Sequence, residues 1–502
     1  MPARMPHIAT VGERFQSYNV EMAEVIGGKF WKPYQSNAGS RRGPPAVPSE
    51  SGGIASQIGK TPNLFEARPP IDLSNERLRK LAAALGPAYV RVSGTWANSV
   101  YFQDTDAPAP ATPPNGFQGV LTRREWRGVV DFAQAVNAKI ITSFAVSRGV
   151  RNAAGVWTPD QARRFFEYTK SIGGNIAAAE FFNEPDMPAA GDVPVGYGAT
   201  DFARDFAIFR SFAKATAPKM LIVGPGSVGE GVPGVQIVPP SALLKTADLL
   251  AAFPRPVFDI FSYHYYGAVS LRCASNGLTG TTADAALSAE WLARAGQANT
   301  FYESLRDRFE PGRTVWITEM ADAACGGDPW AATFLDTFRY LDQHGRLARR
   351  GVKVVFHNTL ASSEYGLIDQ KTLTPRPDYW GALLWRRLMG PAVLDPGPSR
   401  PDLYLYAQCL PHHPGGVTLL AINTDQTRTV SINVPKAADR YTLTAQKLED
   451  SRVWLNGHQL KLGANDEVPS LQGVRIPRGR VDLAPVSITF LTITEAGNEA
   501  CE

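Results

Sequence analysis

Residues 178–185 read Ala178-Ala179-Glu180-Phe181-Phe182-Asn183-Glu184-Pro185. This short apolar run reads as a strand over Ala178–Phe182 whose end carries an acid and is stopped by a proline. Comparable runs recur at Phe15–Val20, Tyr89–Ser93, Lys139–Ala145, Met220–Gly224, Phe258–Tyr263, Thr314–Glu319 and Val352–His357. Amphipathic stretches lie between them, among them Asn75–Ala84, Arg124–Asn137, Pro159–Ile172, Thr200–Thr216, Thr282–Arg308 and Ala331–His344. Strands that alternate with helices imply parallel βα units. Eight of them predict a closed (β/α)₈ barrel, the TIM-barrel architecture, over residues 15–390. Ser74 is the candidate cap of the first helix.

After Pro391 helical periodicity fades. Leu403–Gln408, Val417–Asn423, Thr429–Val434, Tyr441–Leu448 and Val486–Thr494 are β-rich and separated by turn residues. They predict an antiparallel β-sandwich over 391–502, with the segment 1–14 available to add a strand to it. Gln35–Pro70 is rich in Gly, Ser and Pro and carries no helix or strand signal, so it reads as a long loop after the first strand. Asp104–Gly116 is a shorter loop after the second.

The chain has 502 residues, 44% hydrophobic and 20% charged, which suits a barrel plus an accessory domain. A net charge of +4 without a dense Lys/Arg stripe argues against nucleic acid. No apolar run approaches the roughly 18 residues that would span a membrane. Met1–Thr10 has no apolar core of signal-peptide length, so the protein is either cytoplasmic or a leader has been removed. Cys273, Cys325, Cys409 and Cys501 show no CxxC or zinc spacing, so no metal is expected. Their even number permits two disulfides and an oxidising compartment; four buried thiols are the alternative.

In such a barrel, reactive groups sit at the C-terminal ends of strands. Glu184 closes the fourth strand. Glu319, in Trp316-Ile317-Thr318-Glu319, closes the seventh. Two carboxyls meeting there, one neutral and one ionised, are what a retaining glycosidase needs, with Glu184 as acid/base and Glu319 as nucleophile. The plain alternative is a solvated glutamate at a strand end, and Glu180 shares the orientation of Glu184 but lies deeper. The Asn183 amide can reach a sugar hydroxyl. In Tyr263-His264-Tyr265-Tyr266, His264 and Tyr265 are candidates to bond the nucleophile, and stacked core aromatics are the competing reading for one or two of the four. Arg91, closing the second strand, can keep a carboxylate ionised.

The chain resembles the heparanases and β-glucuronidases of glycoside hydrolase family 79. Five stretches carry the resemblance: Ile71–Leu78, Leu85–Thr95, Asn183-Glu184-Pro185, Trp316–Glu319 and Pro377-Asp378-Tyr379-Trp380, with the ending near Cys501. The resemblance implies a Cys409–Cys501 disulfide. It also implies recognition of a uronate carboxylate by backbone N–H groups of Gly326 and Gly327 and by Tyr365, with Asn19 or Glu21, Asn98 and Asn358 around the same subsite. The two-carboxyl chemistry itself calls for no metal or organic cofactor.

Mammalian heparanase flanks its cleft with basic clusters, whereas Gly226–Leu250 holds one Lys, Lys245, and no Arg. The loop Gly267–Thr281 is longer than in heparanase, and a Cys273–Cys325 disulfide would pin it to the next loop. Only Asp104–Gly116 stands where heparanase has an excised linker, so no proteolytic activation is expected. These departures favour an exo-acting β-glucuronidase on a glucuronic-acid-containing oligo- or polysaccharide. An endo-acting enzyme on heparan sulfate is the second reading, and a non-catalytic glycan-binding barrel the third. The protein is expected to be monomeric, secreted or periplasmic, and to bind neither nucleic acid nor membrane.

Overall fold

The computed structural model describes residues 2–34, 64–274 and 277–502. Its centre is a closed parallel barrel of eight strands. In chain order these are β1 (Gln16–Glu21), β2 (Ala88–Ser93), β3 (Ala138–Thr142), β4 (Ile176–Glu180), β5 (Leu221–Ser227), β6 (Ile260–Val269), β7 (Val315–Ala324) and β8 (Val354–His357). A helix follows each: α1 (Glu76–Ala84), α2 (Arg123–Ala135), α3 (Asp160–Ser171), α4 (Ala199–Thr216), α5 (Thr246–Ala251), α6 (Ala289–Phe309), α7 (Phe334–Arg349) and α8 (Pro377–Leu388). The cap of α1 is Asn75, whose side chain accepts the Leu78 N–H; Ser74 instead donates to Asp72. For residues 35–63, the loop expected over Gln35–Pro70 lies outside the described residues. Its last part differs from expectation, since Phe65–Arg68 is a strand paired antiparallel with Gly28–Trp31. Four residues are too few for alternation to show in the sequence.

Ile141, Ala178, Val223, Trp316, Val354 and Phe356 fill the lower barrel interior as one apolar layer. β6 and β7 run past their expected ends, Tyr263 and Glu319, to Val269 and Ala324. Their pairing slips where Tyr263 faces Ile317 but His264 faces Glu319, leaving Thr318 as an extra residue. Strict alternation would put Trp316 and Glu319 on opposite faces. The bulge turns both inward, a use of bulges common beside reactive sites.

Beyond the barrel lie β9 (Ala392–Leu394), β10 (Leu403–Cys409), β11 (Val417–Asn423), β12 (Val430–Val434), β13 (Ala438–Thr444), β14 (Gly479–Leu483) and β15 (Ser487–Ile493). They form one large antiparallel sheet and a two-stranded ribbon, β12 with β14. The two sheets are very unequal, because the barrel covers most of one face of the large sheet. Tyr404, Tyr406, Leu420 and Ile422 join the barrel's core, with Tyr406 donating to Asp342 on α7. The other face packs Leu419, Ala421 and Leu491 against Val434 and Val481 of the ribbon. The chain's first strand, His7–Thr10, pairs with β9 on the edge of the large sheet.

Cys409, at the end of β10, is disulfide-bonded to Cys501, closing 92 residues into a loop. Cys501→Ser is expected to destabilise the sheet by about 2–4 kcal/mol, since the open loop restores entropy to the unfolded chain. Thermal unfolding should show a lower midpoint, with turnover per folded molecule retained; an unchanged midpoint would deny the staple its structural role.

Candidate active site

A cleft of about 440 Å³ opens at the C-terminal mouth of the barrel, within the usual range for a small-molecule site. Glu184 and Glu319 both line it. Glu184 leaves β4 with a left-handed backbone, φ 54°, unusual for a residue with a side chain. Glu184, His264 and Glu319 each bring a side-chain N or O atom to within 4.8 Å of the other two. Those atoms are already committed to protein partners: His264 Nδ1 lies 3.0 Å from Glu184 Oε1 and 3.9 Å from Glu319 Oε2.

Glu319 is held on both oxygens. Tyr266 donates its hydroxyl to Oε1 at 2.6 Å, and Arg91 donates Nη1 to Oε2 at 2.8 Å. Arg91 is fully buried at the bottom of the site. Its Nε and Nη2 donate to Glu180 Oε2 at 2.9 and 2.7 Å, and Nη2 also donates to Asn183 Oδ1 at 2.8 Å. Burial works to neutralise Glu180, but Arg91 and then His264 outweigh it and hold its pKa down near 2. Glu180 is thus a structural anion beneath the cleft.

Glu184 is pushed the other way. Burial raises its pKa above the ordinary carboxylate range, and the Glu319 charge adds to this against the hydrogen bond from His264. His264 is itself raised to about 10: burial disfavours its charged form, yet Glu319, Glu180 and Glu184 around it prevail. Glu21, on β1, also lines the cleft and is raised well above normal by burial and then by Glu319. Two carboxyls whose pKa values are raised and one carboxyl held by two hydrogen bonds therefore share the mouth of the barrel, the pattern that separates acid from base roles.

Strand alternation corrects one expectation. His264 and Tyr266 face inward, so Tyr263 and Tyr265 face the helices. Tyr263 stacks on Tyr302 with ring centroids 4.3 Å apart, and Tyr265 is buried in the core beside Trp291 and Gly267. Tyr265 does not reach the site. The tyrosine on Glu319 is Tyr266, which counting by two from His264 would have found.

The remaining candidates divide. Asn358 and Tyr365 line the cleft, and Asn358 Nδ2 donates to the hydroxyls of Tyr266, at 2.9 Å, and Tyr365, at 3.2 Å. Asn98 sits behind: its amide makes two 2.9 Å bonds to the backbone N–H and C=O of Asn183 and so fixes the residue next to Glu184. Asn19 is buried on β1, and neither of its amide atoms has a partner among the described residues. Gly326 and Gly327 follow β7 with φ of 83° and 78°. A Cβ on Gly326 would lie 2.8 Å from Trp31 and Arg272, so only glycine fits there. Cys325, which also lines the cleft, is disulfide-bonded to Cys273 and ties the β7 loop to the β6 loop. Sequence reasoning missed the cleft's aromatic wall, Trp31, Phe65 and Trp96, whose rings lie 4.7–6.2 Å apart.

Residues 69–345 match the family model described as glycosyl hydrolase family 79, N-terminal domain. Heparanase-like protein 1 of Arabidopsis thaliana is 28% identical over 492 residues, covering 86% of each chain. Hyaluronoglucuronidase of Hirudo nipponia is 26% identical over 480 residues, covering 86% of this chain and 92% of its own. Among solved structures, the fold resembles a 4-O-α-L-rhamnosyl-β-D-glucuronidase from Fusarium oxysporum 12S, with a TM-score of 0.61, 13% identity and coverage of 97% and 99%. More than half of the chain therefore matches one family's N-terminal domain, on a barrel that carries paired carboxyls at its mouth: the chain is a glycoside hydrolase and belongs to glycosyl hydrolase family 79.

Proposed function

We propose that this chain is a retaining, exo-acting β-glucuronidase in which Glu184 is the acid/base and Glu319 the nucleophile. The observation that carries the reading is the approach of the two side chains to within 4.8 Å. Retaining glycosidases separate these groups by about 5–5.5 Å, while inverting ones leave room for a water between them.

The reaction follows from the charges. Glu184, kept protonated by burial, gives its proton to the glycosidic oxygen as the bond from that oxygen to C1 breaks. Glu319 attacks C1 from the opposite face and forms a glycosyl ester. Arg91 and Tyr266 orient its carboxylate and let go of no proton of their own. Glu184, now ionised and stabilised by His264, takes a proton from water, whose oxygen attacks C1 and releases Glu319. The Asn183 amide, fixed by Arg91 and Asn98, is placed to bond the 2-hydroxyl as the ring flattens.

Specificity for a uronate rests on the turn 325–327. Both glycines are buried, and neither N–H has an acceptor among the described residues. Buried unpaired amides are rare. Two unpaired donors in succession offer hydrogen bonds to an anion, and Tyr365 stands beside Gly327. Glu21, neutral and with Oε2 unpartnered, is placed to bond the sugar's hydroxyls. Lys29 is the one basic residue lining the cleft among the described residues, which favours removal of a terminal glucuronate over a grip on a long sulfated chain. Two disulfides fit an oxidising, extracytoplasmic setting.

Glu319→Gln should abolish release of p-nitrophenol from its β-glucuronide. Glu184→Gln should lower turnover of a glycan substrate by about 10²–10⁴-fold but slow the activated aryl glycoside far less, because nitrophenolate leaves with little protonation. Heparan sulfate digests should yield monosaccharide without shortening; rapid shortening would replace exo with endo action.

The pH profile tests the acid separately. Activity needs Glu184 protonated, so it should fall as pH rises through that raised pKa. His264 favours the ionised form of Glu184, so His264→Gln should shift this alkaline limb to higher pH. A limb that stays put, or moves down, would contradict the role of His264. Tyr266→Phe removes a donor from the nucleophile and should cost about 10²-fold in kcat, measurable on the same aryl glucuronide.

A further inference from the structure

Outside the residues already assigned a role, one buried ion pair joins the loops after β1, β6, β7 and β8 around the Gly326–Gly327 turn among the described residues. Arg272 lies three residues past the end of β6, with only 6% of its side chain exposed, and pairs with Glu364 in the loop after β8. The same guanidinium donates Nη1 to the carbonyls of Cys325, at 2.9 Å, and Gly327, at 3.0 Å, and Nε to the carbonyl of Lys32, at 3.1 Å. Its central carbon lies 3.9 Å from the centroid of the Tyr34 ring. Glu364 completes the knot: its Oε1 accepts the Tyr34 N–H at 3.0 Å, and its own N–H donates to the carbonyl of Gly326 at 3.1 Å.

The consequence for the turn follows from peptide geometry. In a trans peptide, C=O and the next residue's N–H point in opposite directions. With the Cys325 carbonyl fixed on Arg272, the Gly326 N–H must face away from it. With the Gly326 carbonyl fixed on Glu364, the Gly327 N–H must face away likewise. Glycine alone has free access to the peptide flips that would reverse these directions, so the turn needs an external restraint. Glu364 also neutralises Arg272, so the pair supplies direction without a competing full charge near the donors.

We propose that Arg272, together with Glu364, is a specificity-positioning pair that holds the 325–327 peptide planes with two N–H donors aimed at the substrate's carboxylate, without touching the substrate. This rests on the uronate reading of the glycine turn given above. The two claims fail in different ways.

The test compares p-nitrophenyl β-glucuronide with p-nitrophenyl β-glucoside, which share a leaving group and differ at the carboxylate. Arg272→Met should reduce kcat/KM for the glucuronide about 10–100-fold more than for the glucoside, the size of one or two charge-assisted hydrogen bonds, and mainly through KM. Arg272→Lys, which keeps the charge but not the fork, should recover part of the preference. If Arg272→Met does not fold, Glu364→Gln supplies the test, with a fall in the glucuronide-to-glucoside ratio of about 3–10-fold expected for loss of one charged partner. Equal losses on both substrates, or a preference that survives the substitutions, would overturn the role of the pair. A wild-type enzyme with no preference for the glucuronide would overturn the carboxylate reading itself.

Discussion

Arg91 has no exposed surface, pairs with Glu180 and Glu319, and feels the Glu21 carboxyl as well. A guanidinium in that position cannot lose its proton to escape desolvation. Its charge must be met by anions, and the planar fork dictates where they sit. One edge takes Glu180 and the far nitrogen takes Glu319, while Asn183 is drawn in by the shared Nη2. Breaking such a buried pair would leave an uncompensated carboxylate and cost several kcal/mol. The geometry of Glu319 is therefore a by-product of a charge that the barrel interior is obliged to neutralise.

The remaining acid–base assignments follow from that constraint. Arg91 and Tyr266 occupy both oxygens of Glu319 and fix its position among buried neighbours. Burial first and then Glu319 raise the pKa values of Glu184 and Glu21, and the carboxyls around His264 raise its pKa against burial. Burial and the neighbouring Glu319 together thus push two carboxyls in one cleft towards their neutral forms, while the surrounding carboxyls push the imidazole towards its charged form.

A second frame holds the upper wall. The Cys273–Cys325 disulfide and the Arg272–Glu364 pair fix the β6, β7 and β8 loops to one another, and Arg272 reaches the β1 loop as well. Glu319 sits on a strand and Glu184, just past the end of β4, is hydrogen-bonded to His264, whereas the glycine turn is intrinsically loose. That division explains why the cross-links gather around the turn. Positioning on strands needs little help, while donors on a flexible loop lose their direction unless their carbonyls are anchored.

Much of this was legible in the sequence, for local reasons. Eight apolar runs alternating with amphipathic helices imply a barrel, and an acid at the end of the fourth and seventh runs implies its mouth, because strand order in a closed barrel fixes which ends converge. Cysteine number and the glycine doublet were equally visible. What the sequence left open depended on parity and on partners distant in the chain. Tyr265 and Tyr266 are indistinguishable in composition, and only the pleat of β6 sends one to the core and the other to Glu319. The bulge at Thr318 reverses the inward face of β7 halfway along, which no periodic reading anticipates. The roles of Arg272 and Asn98 depend on carbonyls and amides 53 and 85 residues away. Periodicity is a property of neighbours along the chain, whereas the direction of a hydrogen bond is decided only when strands distant in sequence come into register.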